Sequence, residues 1–108
     1  MENERLVVFV TAPPGELPAQ IAHALVEEGL AACVNLVGPI RSVYFWEGKV
    51  QDDAEQLLVI KTTADRYGAL ESRVRELHTY EVAEVIALKI EHGAPDYLTW
   101  VTEMCHRP

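Results

Sequence analysis

Few residues in this chain announce a chemistry. It holds two cysteines, Cys33 and Cys105, and nine basic residues against seventeen acidic ones. No apolar stretch approaches the roughly 20 residues a membrane helix needs. There is no paired-cysteine metal motif, no glycine-rich phosphate loop and no nucleophile elbow. A formal charge of −8 repels phosphate backbones and anionic lipid, which argues against nucleic acid and membrane surfaces as partners. An enzyme would want a nucleophile beside a base, or two carboxylates held at separate pKa values, and neither pairing is visible. The Thr11-Ala12-Pro13-Pro14-Gly15-Glu16 turn lacks the arginine that an acylphosphatase-like phosphate cradle requires. The expectation is a binding protein, not an enzyme, with no required cofactor.

At 108 residues, 49% apolar and 24% charged, the chain supports one hydrophobic core, so residues 1–108 read as a single domain. No repeat or low-complexity tract divides it. Met1-Glu2-Asn3-Glu4 is polar, and the first apolar run, Leu6 to Val10, is only strand length. The expected setting is therefore cytoplasmic, with both thiols reduced.

Leu6 to Val10 reads as a buried strand stopped by Pro13-Pro14-Gly15. Leu17, Ile21, Ala24 and Leu25 recur at helical spacing, with Pro18 in the first turn and Gly29 at the C-terminus. Ala32 to Leu36 and Ile40 to Trp46 read as strand, bent or bulged at Gly38-Pro39. Glu47-Gly48-Lys49 turns the chain, the polar Gln51-Asp52-Asp53 follows, and Leu57 to Ile60 returns as strand. Tyr67, Leu70, Val74 and Leu77 mark one face of a second helix, Val85 to Ile90 a fourth strand, and Pro95 opens a last helix running to about Cys105. This βαββαβ order with a terminal helix predicts an α+β, ferredoxin-like sandwich with an extended β-hairpin. Its helices cover one sheet face only. Apolar residues nearly fill both faces of the strands, so the other face needs burial from outside the monomer, and a homo-oligomer is expected.

The motifs from Thr11-Ala12-Pro13 through Val26-Glu27-Glu28-Gly29, Ala31-Ala32-Cys33-Val34-Asn35, Ser42, Tyr44, Trp46, Gly48, Glu55, Lys61-Thr62, His78, Tyr80, Glu84 and Tyr97-Leu98-Thr99-Trp100 span nearly the whole chain. Their order and intervals resemble the CutA family of divalent-cation tolerance proteins. The resemblance implies a trimer of ferredoxin-like subunits joined through sheets and hairpins, and a role in tolerance to divalent cations, notably copper. It also implies an architecture like the PII signalling proteins, which take small ligands between subunits. Two family prolines are missing, at Thr79 and Ala83, so the loop feeding the fourth strand is expected to be less rigid.

Where some bacterial members carry proposed copper ligands, this chain has Val10 and Leu77, leaving only His78, and a lone imidazole makes a weak copper site. Cys33, among alanines and valine, reads as an inert buried thiol. Cys105-His106 is an incomplete soft pair near the chain end, and His23 and His92 lack partners at metal spacing. The βαββαβ order can gather Trp46, Glu55, Lys61, Tyr80 and Glu84, with His78, at strand ends and a subunit boundary, a candidate cleft with an aromatic wall and paired charges for a small polar ligand. An alternative is that Lys61 forms an interface ion pair with Glu84 or Glu55.

Overall fold

The computed structural model describes residues 4–108. Four strands form one antiparallel sheet in the order β2-β3-β1-β4: β1 Arg5–Ala12, β2 Cys33–Trp46, β3 Lys49–Thr63 and β4 Val85–Lys89. Helices α1 (Leu17–Glu27) and α2 (Tyr67–Leu77) cover one face, and α3 (Pro95–Met104) closes the chain. This is the expected ferredoxin-like α+β sandwich.

The strand period of two sorts β1 cleanly. Val8, Val10 and Ala12 are fully buried, and they meet Leu58 and Ile60 of β3 with Ile21, Leu25, Leu70 and Val74 of the helices. β1 runs two residues beyond the predicted Leu6–Val10, because Thr11 and Ala12 still pair with Leu57 and Gln56 before Pro13 ends the ladder. At the end of α1, Gly29 takes φ +73°; its amide donates to the Val26 carbonyl at 3.1 Å and the Leu30 amide to Leu25 at 2.9 Å. This left-handed stop satisfies two helix-end carbonyls and turns Leu30 back into the core.

β2 and β3 form the long hairpin. Its two-residue turn, Glu47-Gly48, has both φ angles positive (53° and 82°), matching the right-handed twist of the flanking strands. β3 runs from Lys49 to Thr63, starting well before the expected Leu57, because the polar Gln51, Asp52 and Asp53 also pair with β2. The bulge falls where expected: Val37 faces Leu57 and Ile40 faces Glu55, so Gly38 and Pro39 together oppose Gln56. The extra residue inverts the alternation of β2. Val34 and Leu36 share a face with Ile60 and Leu58, toward the helices, whereas Ser42, Tyr44 and Trp46 share a face with Asp53, Gln51 and Lys49, on the side of Leu57 and Val59.

Among the described residues, nothing covers the sheet face away from α1 and α2. Ile86 is 52% and Leu88 56% exposed there, beside half-buried Val7, Phe9, Leu57 and Val59. The hairpin arm exposes Phe45 and Val50 on its opposite side. The terminal residues, by contrast, are tied down. Val101 and Cys105 are fully buried, packing with Ala32, and the Cys105 sulfur lies 3.7 Å from the Thr62 hydroxyl.

Beyond α3, His106 Nδ1 bonds the Thr102 carbonyl at 2.7 Å and Nε2 the Asp65 carboxylate at 2.8 Å. Both partners only accept, so this arrangement uses the doubly protonated ring. The Thr102 carbonyl and then Asp65 raise the His106 pKa against the opposing charge of Arg66. A raised folded pKa gives stability that is complete below the unfolded value of about 6.5 and fades as pH climbs through the folded one. The melting temperature is therefore expected to fall as pH rises above about 6.5 more steeply in this chain than in His106→Gln, a comparison that thermal melts at matched ionic strength make directly. At the bulge, a Cβ on Gly38 would sit 2.8 Å from Gln56 Cγ and 3.4 Å from its Cα. Gly38→Val is expected to lower stability by about 1–3 kcal/mol in urea titration.

Candidate functional site

The bulge has a second effect, at the foot of the hairpin. By moving Tyr44 and Trp46 to the side of Glu55, it makes one wall of a concavity of about 720 Å³, a size that suits a small ligand. The floor is Glu55 of β3 with Thr11 at the end of β1. The opposite wall is the segment from Thr79 to Glu84, which joins α2 to β4.

Glu55 is only 6% exposed. The Tyr80 hydroxyl donates to its Oε2 at 2.8 Å. Burial, then the hydrogen bond to Glu55, pushes the Tyr80 phenol well above its ordinary pKa, so it stays protonated and remains the donor. Tyr44 is held likewise, its hydroxyl donating to Asp53 Oδ2 at 2.6 Å, a bond that also raises its pKa. Two phenols thus stand fixed along the concavity, with Trp46 beside them.

His78 anchors the wall. Its Nε2 bonds the Thr11 carbonyl at 2.7 Å, and its Nδ1 accepts the Tyr80 amide at 3.1 Å. A carbonyl can only accept and an amide only donate, so the ring is the Nε2–H tautomer with both nitrogens engaged. The imidazole also lies against the Tyr80 ring, centroids 4.5 Å apart. These contacts and the Tyr80–Glu55 bond hold the segment in which Thr79 and Ala83 replace the family prolines.

Of the residues singled out from the sequence, Trp46, Glu55, Tyr80 and Glu84 come together around this concavity. Lys61 does not. It lies opposite Cys33, six residues along β3 from Glu55, on the order of 20 Å away, and donates to Asn35 Oδ1. The ion pair between Lys61 and Glu55 or Glu84 is therefore absent within one chain. Ser42, Tyr44, Thr11, Glu81 and Val82 line the site without having been singled out. Tyr44 was detectable, since it shares its strand face with Trp46 two residues on.

Among the described residues no group of three or more His, Cys, Asp or Glu stands placed to hold a metal ion. Val10 is fully buried and Leu77 half-buried in or against the core. Cys33 is half-buried, its sulfur 3.9 Å from Asn35 Oδ1, so the enclosed thiol expected from its neighbours is partly open. Cys105 and His106 are an incomplete pair, as expected: Cys105 is buried and His106 turns away to Asp65, so the two donors do not converge. His23 and His92 are exposed. No helix among the described residues is long and apolar enough to cross a membrane.

Residues 6–104 match the family model of the CutA1 divalent ion tolerance protein. Protein CutA of Mus musculus is 51% identical over 96 residues, covering 89% of this chain and 54% of that protein, so the chain spans about half the length of that relative. The divalent-cation tolerance protein CutA of Thermus thermophilus is 48% identical over 97 residues, covering 90% of this chain and 94% of that one. The crystal structure of CutA1 from Oryza sativa superposes with a TM-score of 0.94 at 46% identity, covering 98% of this chain and 97% of the other. With its motifs, sheet order and extended hairpin all in agreement, this chain belongs to the CutA1 divalent ion tolerance protein family.

Proposed function

We propose that this chain works as a homotrimer in divalent-cation tolerance, copper included, binding metal weakly or indirectly and performing no catalysis. The observation that carries the reading is the uncovered apolar sheet face beside the exposed hairpin arm. Ile86 and Leu88 on that face, and Phe45 and Val50 on the other side of the hairpin arm, are each more than half exposed, more apolar surface than a lone soluble chain ordinarily leaves open. Burying that surface and the strand edges against further copies removes an aggregation hazard and stabilises the assembly hydrophobically.

Metal handling on this reading is loose. His78 is the candidate ligand, and an ion there must take the Nδ1 lone pair from the Tyr80 amide, breaking the anchor of the wall. Copper(II) also wants several nitrogen or oxygen donors in a tetragonal arrangement, which one imidazole does not supply. The free thiols of Cys33 and Cys105 suit a reducing, cytoplasmic setting.

A second reading, a PII-like trimer that responds to a small ligand, is favoured by the concavity at the foot of the hairpin. The two readings share the assembly and differ in what occupies it. Native mass spectrometry of the metal-stripped protein, titrated with copper, reports both. The expected result is a species at three times the 12.1 kDa chain mass, with weak copper uptake that Tyr80→Ala leaves unsaturated. Monomers throughout would overturn the assembly, and tight stoichiometric copper binding lost in His78→Ala would overturn the weak or indirect role.

A further inference from the structure

The turn that follows α3, residues 105–107, carries a fully buried thiol, that of Cys105. It owns little core, since Cys105 packs in a small cluster with Ala32, Val101 and Met104. Polar bonds to distant segments do most of the fixing. Arg66, in the short helical turn Ala64–Arg66, donates through Nε to the Cys105 carbonyl at 2.7 Å. Arg107 donates to the Glu27 carbonyl at 3.4 Å and to that of Val26, two carbonyls at the end of α1. His106 joins the Thr102 carbonyl at 2.7 Å to Asp65 at 2.8 Å.

Of these three ties, one answers to pH near neutrality. Arginine keeps its charge throughout that range, whereas histidine is the side chain that changes charge between about pH 5 and about pH 8. Both partners of His106 only accept, so loss of either ring proton sets a lone pair against an oxygen. The charged groups near the ring are Asp65 and Arg66 from the Ala64–Arg66 turn, Arg107 next along the chain, Glu103, whose carbonyl takes the His106 amide, and Arg5 of β1, which donates to the Thr102 hydroxyl at 3.4 Å. The Thr102 carbonyl and then Asp65 outweigh Arg66 and favour the protonated ring. All these bonds lie within one chain, at the end of β3 remote from the hairpin turn, so they hold whatever covers the open sheet face.

We infer that residues 105–107 form a proton-operated clasp: with His106 doubly protonated the turn closes over the Cys105 thiol, and as the ring loses a proton the turn opens more often and small electrophiles reach the sulfur. The opening is local and short of unfolding, because the arginine ties and the main core are untouched by the same proton. The control is graded, since a part-exposed ion pair such as His106–Asp65 changes an equilibrium only a few-fold.

Iodoacetamide is the probe. Its rate of reaction with Cys105 is measured in the assembled Cys33→Ser chain from about pH 6 to about pH 9, across the histidine range. Each rate is divided by that of the same chain in urea at the same pH; reaction proceeds from the opened turn, so the ratio cancels the thiol's own ionisation. Protection is expected to fall about threefold further over this range than it does when His106→Gln is added. Asp65→Asn should move the fall to lower pH, and Arg107→Gln should lower protection at every pH while keeping the fall. An identical pH course with and without His106 overturns the inference. So does protection that stays at the level of global unfolding throughout, or that drops only where native mass spectrometry shows the assembly coming apart.

Discussion

The architecture of the site depends on one mismatch in strand length: two residues of β2, Gly38 and Pro39, oppose the single Gln56 of β3. A strand alternates faces every residue, so an extra residue on one side exchanges the faces of everything beyond it. Below the bulge the even positions Val34 and Leu36 look toward the helices. Above it the even positions Ser42, Tyr44 and Trp46 look the other way, toward Glu55 and the segment that carries Tyr80. The same strand therefore contributes to the core at one end and to a polar, aromatic concavity at the other.

The second wall relies on hydrogen bonding in place of backbone stiffness. His78 spends both nitrogens on main-chain partners, one on β1 and one on its own loop, and Tyr80 completes the link by reaching Glu55 on β3. Three elements distant in sequence are joined by these bonds, so the imidazole that remains from the proposed family copper ligands has a structural use here. A metal that recruited it would loosen the wall it supports.

Much of the fold was legible because its signals are local. Apolar runs marked the strands, helical spacing at Leu70 and Val74 marked α2, and Gly29 and Gly38-Pro39 marked a helix stop and a bulge. The uncovered sheet face followed from apolar residues on both faces of strands that helices cover only once. The site was less legible because it depends on register. Glu55 and Lys61 do share a strand face, yet six residues of strand separate them, and the parity of a pattern says nothing about that distance. Tyr44 could have been placed with Trp46 from their spacing of two, but that both face Glu55 depends on the bulge, and the sequence marks a bulge without stating which pairs it realigns. The partners of Cys105 and His106 were not legible, because Thr62 and Asp65 come from far along the chain.

The inverted face of the hairpin arm is the claim on which the rest stands, and it is best tested by placing a single tryptophan on either side. In a Trp100→Phe background, quenching by caesium and by iodide is measured for Trp46 and for a chain with the probe moved one residue, Phe45→Trp with Trp46→Phe. The account predicts that caesium quenches more strongly than iodide at position 46, beside Glu55, Glu81 and Glu84, and that this excess shrinks at position 45, on the opposite face. An equal or larger caesium excess at position 45 would contradict it.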